Sequence, residues 1–342
     1  MKTVLITGGA GFMGSNLVKH LFHSYPDYKI VVLDQLTYAG HLNSIPEDIR
    51  ASDRFDFWYG NIKNSQLADS LISESDIVVH MAAESHVARS IFDNSICFDT
   101  NVMGTQVIAN AVLKYRDRVE RFIHISTSEV YGTAVTRPMD ESHPLDALTP
   151  YAAAKLGGDR LVFAYSATYE LPIVVIRPFN NVGPRQHLEK VIPRFITSAI
   201  LNEPITVHGD GSCTRDWVYV EDFCDAVAKA IHAPLDAVGG QTINVGTGQE
   251  HSIHDIAEVV LELVPGTRST ITHVQDRPGQ VACHISSTTR AKELLGWEAV
   301  TPFRDALART VSWYRDNRDW WSPMLWMRAI PLTFKDGKKD FY

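Results

Sequence analysis

The start of the chain constrains the fold more than any other stretch. An apolar, β-branched run, "TVLIT" at 3–7, is followed directly by "GGAGFMG" and then by a helical pattern. Glycines at 8, 11 and 14 allow a tight turn, close approach of the backbone to a pyrophosphate and close packing of helix on strand. The N-terminus of the helix would face the phosphates. This arrangement predicts a dinucleotide-binding unit, the alternative being a glycine-rich turn that binds nothing.

The end of the second strand indicates which dinucleotide is bound. The run "KIVVLD" ends at Asp34. An acidic side chain there can accept hydrogen bonds from both hydroxyls of the adenosine ribose, and it would repel a 2′-phosphate. The sequence therefore predicts NAD rather than NADP.

Strand-like and helical patterns alternate as far as about residue 180. The strand-like runs are "TVLIT" (3–7), "KIVVLD" (29–34), "DIVVHMA" (76–82), "RFIHIS" (121–126) and "PIVVIRP" (172–178). Continuously apolar strands are covered on both faces, and their alternation with helices indicates a parallel sheet. We predict an α/β fold, a Rossmann-type doubly wound parallel sheet with a smaller C-terminal α/β substrate lobe. Residues 1–180 would form the NAD-binding domain and 181–342 mainly the substrate lobe, with some segments, such as "INVGTG", returning to the first domain.

Composition indicates which kinds of partner and which cellular compartment to expect. The net charge is −8 and no basic run is present, which argues against nucleic acid as a partner. The four cysteines lack metal or redox spacing, so we expect free thiols in a reducing compartment and no metal. The apolar run at the N-terminus is too short for a signal peptide or a membrane span, and we expect a cytoplasmic protein with no membrane partner.

A tyrosine and a lysine supply candidate acid–base chemistry. Tyr151 and Lys155 lie four residues apart at the start of a predicted helix and therefore share one face. An ammonium group beside a phenol lowers the pKa of the phenol, which would make Tyr151 a usable base near neutral pH.

The end of an earlier strand supplies a hydroxyl and a carboxylate. The strand ending at "STSE" adds Thr127, Ser128 and Glu129. A carboxylate just past a buried strand is unfavourable unless it is paired or used. An exposed charge at 129 and a packing role for Thr127 are the alternatives.

The spacing GxxGxxG together with the Tyr–Lys pair resembles the extended short-chain dehydrogenase/reductase superfamily. Within it, the chain resembles the nucleotide-sugar 4,6-dehydratases, typified by the dTDP-glucose enzymes, over nearly its whole length. The resemblance rests on "DQLTYAGHLNS" (34–44), "HMAAESHVARSI" (80–91), "STSEVYG" (126–132), "PYAAAK" (150–155), "FNNVGPRQHLEKVIP" (179–193), "TRDWVYVED" (214–222) and "DRPGQVACHIS" (276–286).

The resemblance implies a reaction and an assembly. Tyr151 would take the O4 proton of a nucleotide-diphosphate sugar, with Thr127 holding O4, while hydride leaves C4 for NAD. Glu129 would then take the C5 proton, water would leave from C6, and hydride would return to C6 to give a 4-keto-6-deoxy sugar. Helices near 100–115 and 151–168 would form a four-helix bundle across a homodimer.

Ser128 departs from the pattern of the dTDP-glucose enzymes, which carry an aspartate general acid at this position. GDP-mannose dehydratases have a similar hydroxyl–glutamate pair, so Glu129 could shuttle the proton while Ser128 holds the 6-hydroxyl or a water. "TSEVYG" also occurs in UDP-glucuronate decarboxylases and some epimerases. A 4-epimerase, a decarboxylase and a non-catalytic NAD-binding regulator are therefore the alternatives, and the second asparagine of "FNN" favours a dehydratase.

The resemblance also implies the binding residues. The catalytic set is Thr127, Ser128, Glu129, Tyr151 and Lys155. The cofactor-binding set is Gly8, Gly11, Phe12, Met13, Gly14, Asp34, Asn61, Ile62, Ala82, Ala83, Tyr151 and Lys155, with Tyr38 near the adenosine end. The substrate-binding set is Ser85, Asn180, Asn181, Lys190, Val191, His208, Arg215, Asn244 and Arg277. His208 would stack on the base or be a surface histidine, and Asn244 would hold the ribose or order the strand end. For the Trp-rich tail, packing over the lobe is favoured over a subunit contact.

Overall fold

The computed structural model describes residues 1–276, 279–328, 331–333, 337 and 339–341, so the predicted substrate residue Arg277 lies outside the described residues. The strands are β1 (Lys2–Thr7), β2 (Tyr28–Asp34), β3 (Phe55–Tyr59), β4 (Ile77–His80), β5 (Arg121–Ile125), β6 (Ile173–Pro178), β7 (Asn180–Val182), β8 (Ile205–His208), β9 (Thr214–Tyr219), β10 (Thr242–Val245), β11 (Glu250–Ser252), β12 (Ile271–Val274), β13 (Pro331–Thr333) and β14 (Lys339–Phe341). The α-helices are α1 (Phe12–Ser24), α2 (Glu47–Arg50), α3 (Ser65–Ile72), α4 (Val87–Phe92), α5 (Ser95–Phe98), α6 (Thr105–Lys114), α7 (Pro150–Tyr169), α8 (Val191–Leu201), α9 (Val220–His232), α10 (Leu235–Val238), α11 (Ile253–Leu263), α12 (Thr289–Leu295), α13 (Phe303–Asp316) and α14 (Arg318–Trp321).

The main sheet of the described chain has seven strands in the order β3-β2-β1-β4-β5-β6-β10. Every neighbouring pair in it is parallel. The predicted doubly wound parallel sheet is therefore confirmed. The strand order reverses between β1 and β4, and in open sheets of this kind ligands bind outside the carboxyl ends of the strands at such a reversal.

Both faces of the main sheet are buried, which explains the continuously apolar strands. Successive side chains of a strand point to opposite faces. Val4 and Ile6 accordingly belong to the core between the sheet and helices α1 and α9, whereas Leu5 belongs to the core on the side of α3, α6 and α7.

The second lobe has its own core. The lobe contains the three-stranded sheet β11-β9-β7, the pair β12-β8 and helices α8, α11 and α13. The late strand β10 lies instead in the main sheet, parallel to β6. From the tail, Trp321 is fully buried in the core of the lobe and Trp320 packs edge-on against Trp313, whereas Trp326 is exposed.

The helical stretch before β5 contains a wider turn. Helices α5 and α6 are joined through a π-helical segment, Asp99–Gly104. Within this segment, the Asn101 side chain accepts a hydrogen bond from the Glu84 N–H (2.9 Å) and donates one to the Glu84 carbonyl (3.0 Å). Such π-helical turns occur frequently at functional sites, and this one fixes the chain that follows β4.

A buried ion pair joins the sheet to helix α7. The Arg177 guanidinium on β6 donates two hydrogen bonds of 2.9 Å to the Asp159 carboxylate on α7. A third, also 2.9 Å, goes to the Tyr131 hydroxyl, which in turn donates to Asn244 Oδ1 on β10 at 2.8 Å. Burial would raise the pKa of the Asp159 carboxyl, but Arg177 holds it well below its usual range. The network therefore ties β6, α7, β10 and the turn that carries Tyr131 together through two buried charges.

None of the described helices combines the length and the apolar character needed to cross a bilayer. In the described part of the chain, no group of three or more His, Cys, Asp and Glu side chains is arranged to hold a metal ion. All four cysteines are free thiols.

Removing Asp159 should destabilise the protein strongly. The Asp159→Ala variant leaves the Arg177 charge buried without its partner, which costs about 3–5 kcal/mol. The control is Arg160→Ala, because Arg160 pairs with the same carboxylate from a more exposed position, where an ion pair contributes about 0–1 kcal/mol. Urea unfolding of both variants measures the difference, and similar small losses would contradict the assigned role of the buried pair.

Candidate active site

One cleft crosses the carboxyl ends of the main sheet and continues to the second lobe. Most of the residues predicted for the site line it: Gly8, Gly11, Phe12, Met13, Gly14, Asp34, Asn61, Ile62, Ala82, Ala83, Ser85, Thr127, Glu129, Tyr151, Lys155, Asn180, Asn181, Lys190, Val191, His208 and Arg215. Two described residues of the predicted set, Ser128 and Asn244, are not among its walls. The fold thus brings residues from widely separated stretches of sequence to one edge of the sheet.

The glycine turn is packed too closely to accept side chains. Gly8 has φ of 74°, and a Cβ there would lie 2.7 Å from the Ala82 Cα. A Cβ on Gly14 would lie 2.1 Å from the Gly8 carbonyl oxygen. Helix α1 then begins after Gly11, which supplies no side-chain cap for the first-turn N–H groups. A turn of this shape, with an uncapped helix start at the cleft, fits a pyrophosphate.

Asp34 ends β2, and its side chain lies against the same glycine turn. Its carboxylate accepts hydrogen bonds from the N–H groups of Ala10 (2.9 Å) and Leu36 (2.7 Å), one on each oxygen. Burial raises the pKa of Asp34, and these two bonds oppose that effect. Each carboxylate oxygen keeps a second lone pair for a further donor, such as a ribose hydroxyl. Asp34 therefore both holds the turn and presents an acceptor to the cleft.

The predicted effect of Lys155 on Tyr151 is wrong for this arrangement. The Lys155 ammonium is buried and donates to the Ile125 carbonyl at 2.6 Å, and burial lowers its pKa to about 8. Burial and the Glu129 carboxylate raise the pKa of Tyr151, and the hydrogen bond with Thr127 opposes them. The reason is geometric, since the lysine charge is satisfied by the backbone at the end of β5.

Thr127 and Glu129 lie where the chain leaves β5. The Thr127 backbone is extended, and its hydroxyl caps a short 3₁₀ turn, Ser128–Tyr131, by accepting from the Glu129 N–H at 3.2 Å. This cap places the Thr127 hydroxyl beside Tyr151 and sets the Glu129 side chain against the cleft. A hydroxyl, a phenol and a carboxylate therefore face one space.

Ser128 points away from that space. Its side chain is buried, and its hydroxyl lies 3.5 Å from Nδ1 of His284. The expected position beside the substrate is therefore not where the structure places it. His284 is not among the predicted site residues, although it lies within the "DRPGQVACHIS" motif.

A buried carboxylate beside Lys190 is likewise absent from the predicted set. The Glu189 side chain accepts a hydrogen bond from Tyr38 at 3.1 Å, and its oxygens lie 3.1 Å from Lys190 Nζ and 3.3 Å from His86 Nε2. Burial would raise the pKa of Glu189, but Lys190 and the neighbouring histidines hold it well below its usual range. Tyr38, expected at the adenosine end, thus belongs to a polar cluster with Ser85 and Lys190. The only indication in the sequence is that Glu189 directly precedes Lys190, a predicted substrate-binding residue.

The remaining predicted substrate-binding residues differ in how many of their polar groups already bond within the protein. Asn181 donates to the Phe179 carbonyl at 3.0 Å, while its buried Oδ1 has no hydrogen-bond partner in the described protein. Arg215 is largely buried and donates to the Thr214 carbonyl at 2.8 Å. Asn244 is fully buried, and both ends of its amide are used, by Tyr131 and by the Met139 carbonyl. It orders the strand end and does not face the cleft.

Comparison with known proteins agrees with this geometry. Residues 5–310 match the family model described as GDP-mannose 4,6 dehydratase. The dTDP-glucose 4,6-dehydratase of Actinoplanes sp. is 38% identical over 93% of this chain and 99% of its own length. The crystal structure of the dTDP-glucose 4,6-dehydratase DesIV from Streptomyces venezuelae, solved with NAD, is 37% identical with a TM-score of 0.89, over 94% of this chain and 99% of its own.

An enzyme of a different activity shares the fold but is less similar in sequence to this chain. The UDP-glucose 4-epimerase of Thermotoga maritima is 28% identical with a TM-score of 0.84, over 92% of this chain and 99% of its own. The fold is thus shared with epimerases, while the sequence is more similar to the dehydratases reported above. The chain belongs to the GDP-mannose 4,6-dehydratase family.

Proposed function

We propose that the protein converts a nucleotide-diphosphate sugar to its 4-keto-6-deoxy product, using bound NAD. The observation that carries this proposal is that one cleft contains both the residues suited to a dinucleotide and the residues suited to proton transfer. The glycine turn with Asp34 lies at one end, and Thr127, Glu129 and Tyr151 lie together at the other. Family membership supports dehydration over 4-epimerisation, and the intact polar set argues against a non-catalytic regulator.

The residues that would hold NAD are those of the glycine turn, Asp34, and the chain after β4 at Ala82 and Ala83. When bound, NAD would accept a hydride from C4 of the sugar and return it to C6. Asn180, Lys190 and Arg215 supply polar and cationic groups for the diphosphate of the substrate. The unpaired Oδ1 of Asn181 is a further acceptor for a ligand donor.

The chain's own residues move the protons. Tyr151 takes the O4 proton, and Thr127 bonds the phenol oxygen and holds O4 near it. The 4-ketone acidifies the C5 proton, which Glu129 accepts. The 6-hydroxyl leaves as water, and a proton returns to C5 after hydride reaches C6. Each of these groups must lie within hydrogen-bond reach of the atom that it serves in the substrate complex.

A panel of nucleotide sugars tests the reaction. Incubation of the purified protein with dTDP-glucose, UDP-glucose, GDP-mannose and UDP-glucuronate, read by mass spectrometry, separates the candidates. Loss of water supports dehydration, loss of carbon dioxide from UDP-glucuronate indicates a decarboxylase, and an unchanged mass with altered chromatography indicates an epimerase.

The Asp34→Ala variant should bind NAD less well. It loses up to two hydrogen bonds to the ribose, each contributing about 0.5–1.5 kcal/mol, so a loss of roughly tenfold to a hundredfold is expected. The control, Asp34→Asn, keeps one acceptor oxygen but removes the charge that repels a 2′-phosphate, and it should gain affinity for NADP. Titration calorimetry measures both. Release of NADP alone from the denatured wild type would contradict the predicted cofactor.

Glu129→Gln and Tyr151→Phe should separate two steps. Glu129→Gln should allow oxidation at C4 but stall before water loss, seen as NADH absorbance that persists on the enzyme. Tyr151→Phe should abolish the absorbance itself. Full dehydration by the glutamine variant would contradict the role of Glu129.

The same glutamine variant should shift the pH profile of C4 oxidation. The Glu129 carboxylate raises the pKa of Tyr151, so removal of that charge should lower it. The alkaline rise in the rate of NADH formation should therefore move to lower pH in Glu129→Gln than in the wild type. A profile that stays in place or moves to higher pH would show that Glu129 does not act on Tyr151.

We also propose that the protein is a homodimer joined by a four-helix bundle. Large apolar side chains are exposed along this region, with Met103 50% exposed in the π-helical segment and Phe163 42% exposed on α7. Contiguous exposed apolar surface commonly marks an interface. The four free thiols support the further proposal that the protein works in the cytoplasm.

Met103→Glu should increase the monomer fraction in light scattering at micromolar concentration, because a charge would be buried in the bundle. Val300→Glu, at an exposed apolar residue outside these helices, is the control and should leave the mass unchanged. A wild type that is entirely monomeric would remove the proposal.

A further inference from the structure

A buried imidazole lies behind the Glu129 carboxylate. His284 is 1% exposed, and its Nε2 lies 2.6 Å from the Gly132 carbonyl oxygen. Since a carbonyl can only accept, Nε2 must carry the hydrogen, and in the neutral ring Nδ1 is therefore an acceptor. The tautomer is set by the backbone of the turn that carries Glu129.

The free lone pair of Nδ1 faces two groups of that turn. The Ser128 hydroxyl lies 3.5 Å away and can donate to it. Glu129 Oε1 lies 4.0 Å away, and His284 is not among the residues that line the cleft. Two acceptors, a carboxylate oxygen and the Nδ1 lone pair, therefore face each other at 4.0 Å, beyond hydrogen-bond distance, and a proton on Glu129 would allow them to approach and bond.

The surroundings of His284 keep its ring neutral at rest. Burial lowers the pKa of His284, and the Arg215 and His143 charges lower it further, while Glu129 and the bond to Gly132 oppose them. The ring of Phe179 packs edge-on against it. His284 can thus accept a hydrogen bond from a newly protonated neighbour.

We propose that His284 is the positioning residue for the proton that Glu129 carries between C5 and O6. The inference rests on the proposed dehydration. His284 acts through Glu129 and does not touch the sugar.

The proton that leaves C5 during the elimination can be followed to the water that departs. The C5–H bond breaks, its electron pair moves into the enolate of the 4-ketone, and the proton binds the Glu129 carboxylate. Rotation of the carboxyl group brings its O–H to Nδ1 of His284, displacing the Ser128 hydroxyl, and rotation back breaks that bond and turns the O–H towards O6. The proton then passes to O6 as the C6–O6 bond breaks, the enolate electrons form the C5–C6 double bond, and Glu129 is again a carboxylate. No separate acid is needed at position 128.

Two substitutions of His284 separate a role in positioning the proton from a purely structural role, and a third variant tests Ser128. His284→Gln places an amide N–H where Nε2 lies, which preserves the donor to Gly132 and removes the acceptor at Nδ1. His284→Asn places its amide near Nδ1, which keeps an acceptor for Glu129 and loses the bond to Gly132. Ser128→Ala removes only the hydroxyl that can donate to Nδ1 before Glu129 is protonated.

We expect His284→Gln to oxidise C4 normally but to lose at least tenfold in kcat, with NADH absorbance persisting on the enzyme and KM for the nucleotide sugar unchanged. His284→Asn should retain more water loss than His284→Gln, even if its urea midpoint is lower. Ser128→Ala should slow water loss only modestly and without persistent NADH.

Three outcomes overturn the inference: wild-type water loss by His284→Gln, a His284→Asn variant that is slower in water loss than His284→Gln, or a Ser128→Ala variant that stalls with NADH. The probes are dTDP-glucose, UDP-glucose and GDP-mannose. If the wild type removes water from none of them, dehydration and the inference both fail. If the wild type dehydrates one and His284→Gln does so equally well, only the inference fails.

Discussion

The active site depends on the buried ion pair between Arg177 and Asp159. Two charges taken out of water are favourable only if they are paired and fully hydrogen-bonded, and the guanidinium satisfies this with two bonds to Asp159 and one to Tyr131. These bonds connect β6, the helix that carries Tyr151, and the turn that carries Glu129. The spacing of the two proton-transfer groups is thus fixed from outside the cleft, by residues that never meet a ligand.

The electrostatics of the cleft limit the first proton transfer. A carboxylate beside a buried phenol makes the phenolate scarce, because burial and Glu129 both raise the pKa of Tyr151. Only the phenolate can take the O4 proton, so this carboxylate slows the oxidation of C4 at neutral pH. Thr127 moderates the penalty by bonding the phenol oxygen. The group that takes the C5 proton thus restrains the group that takes the O4 proton.

The fold and the walls of the cleft were predictable because local patterns encode them. Continuously apolar strands, the glycine turn and a Tyr–Lys pair one helical turn apart each depend on residues near one another in sequence. Contacts made over long sequence separations were not predictable. The Lys155 ammonium bonds a backbone carbonyl 30 residues away, and Asn244 joins Tyr131 113 residues away. A sequence pattern carries no information about which of several partners a long side chain will choose.

The orientation of Ser128 was not predictable from the local pattern. The chain is extended at Thr127, but Ser128 begins the 3₁₀ turn Ser128–Tyr131, so the alternation of a strand does not continue to Glu129. Thr127 and Glu129 line the cleft, whereas the Ser128 side chain is buried beside His284. His284 lies 156 residues away and could not be inferred from spacing. A change at position 128 therefore alters the support behind Glu129, and its consequence for the chemistry depends on the residue that stands at 284.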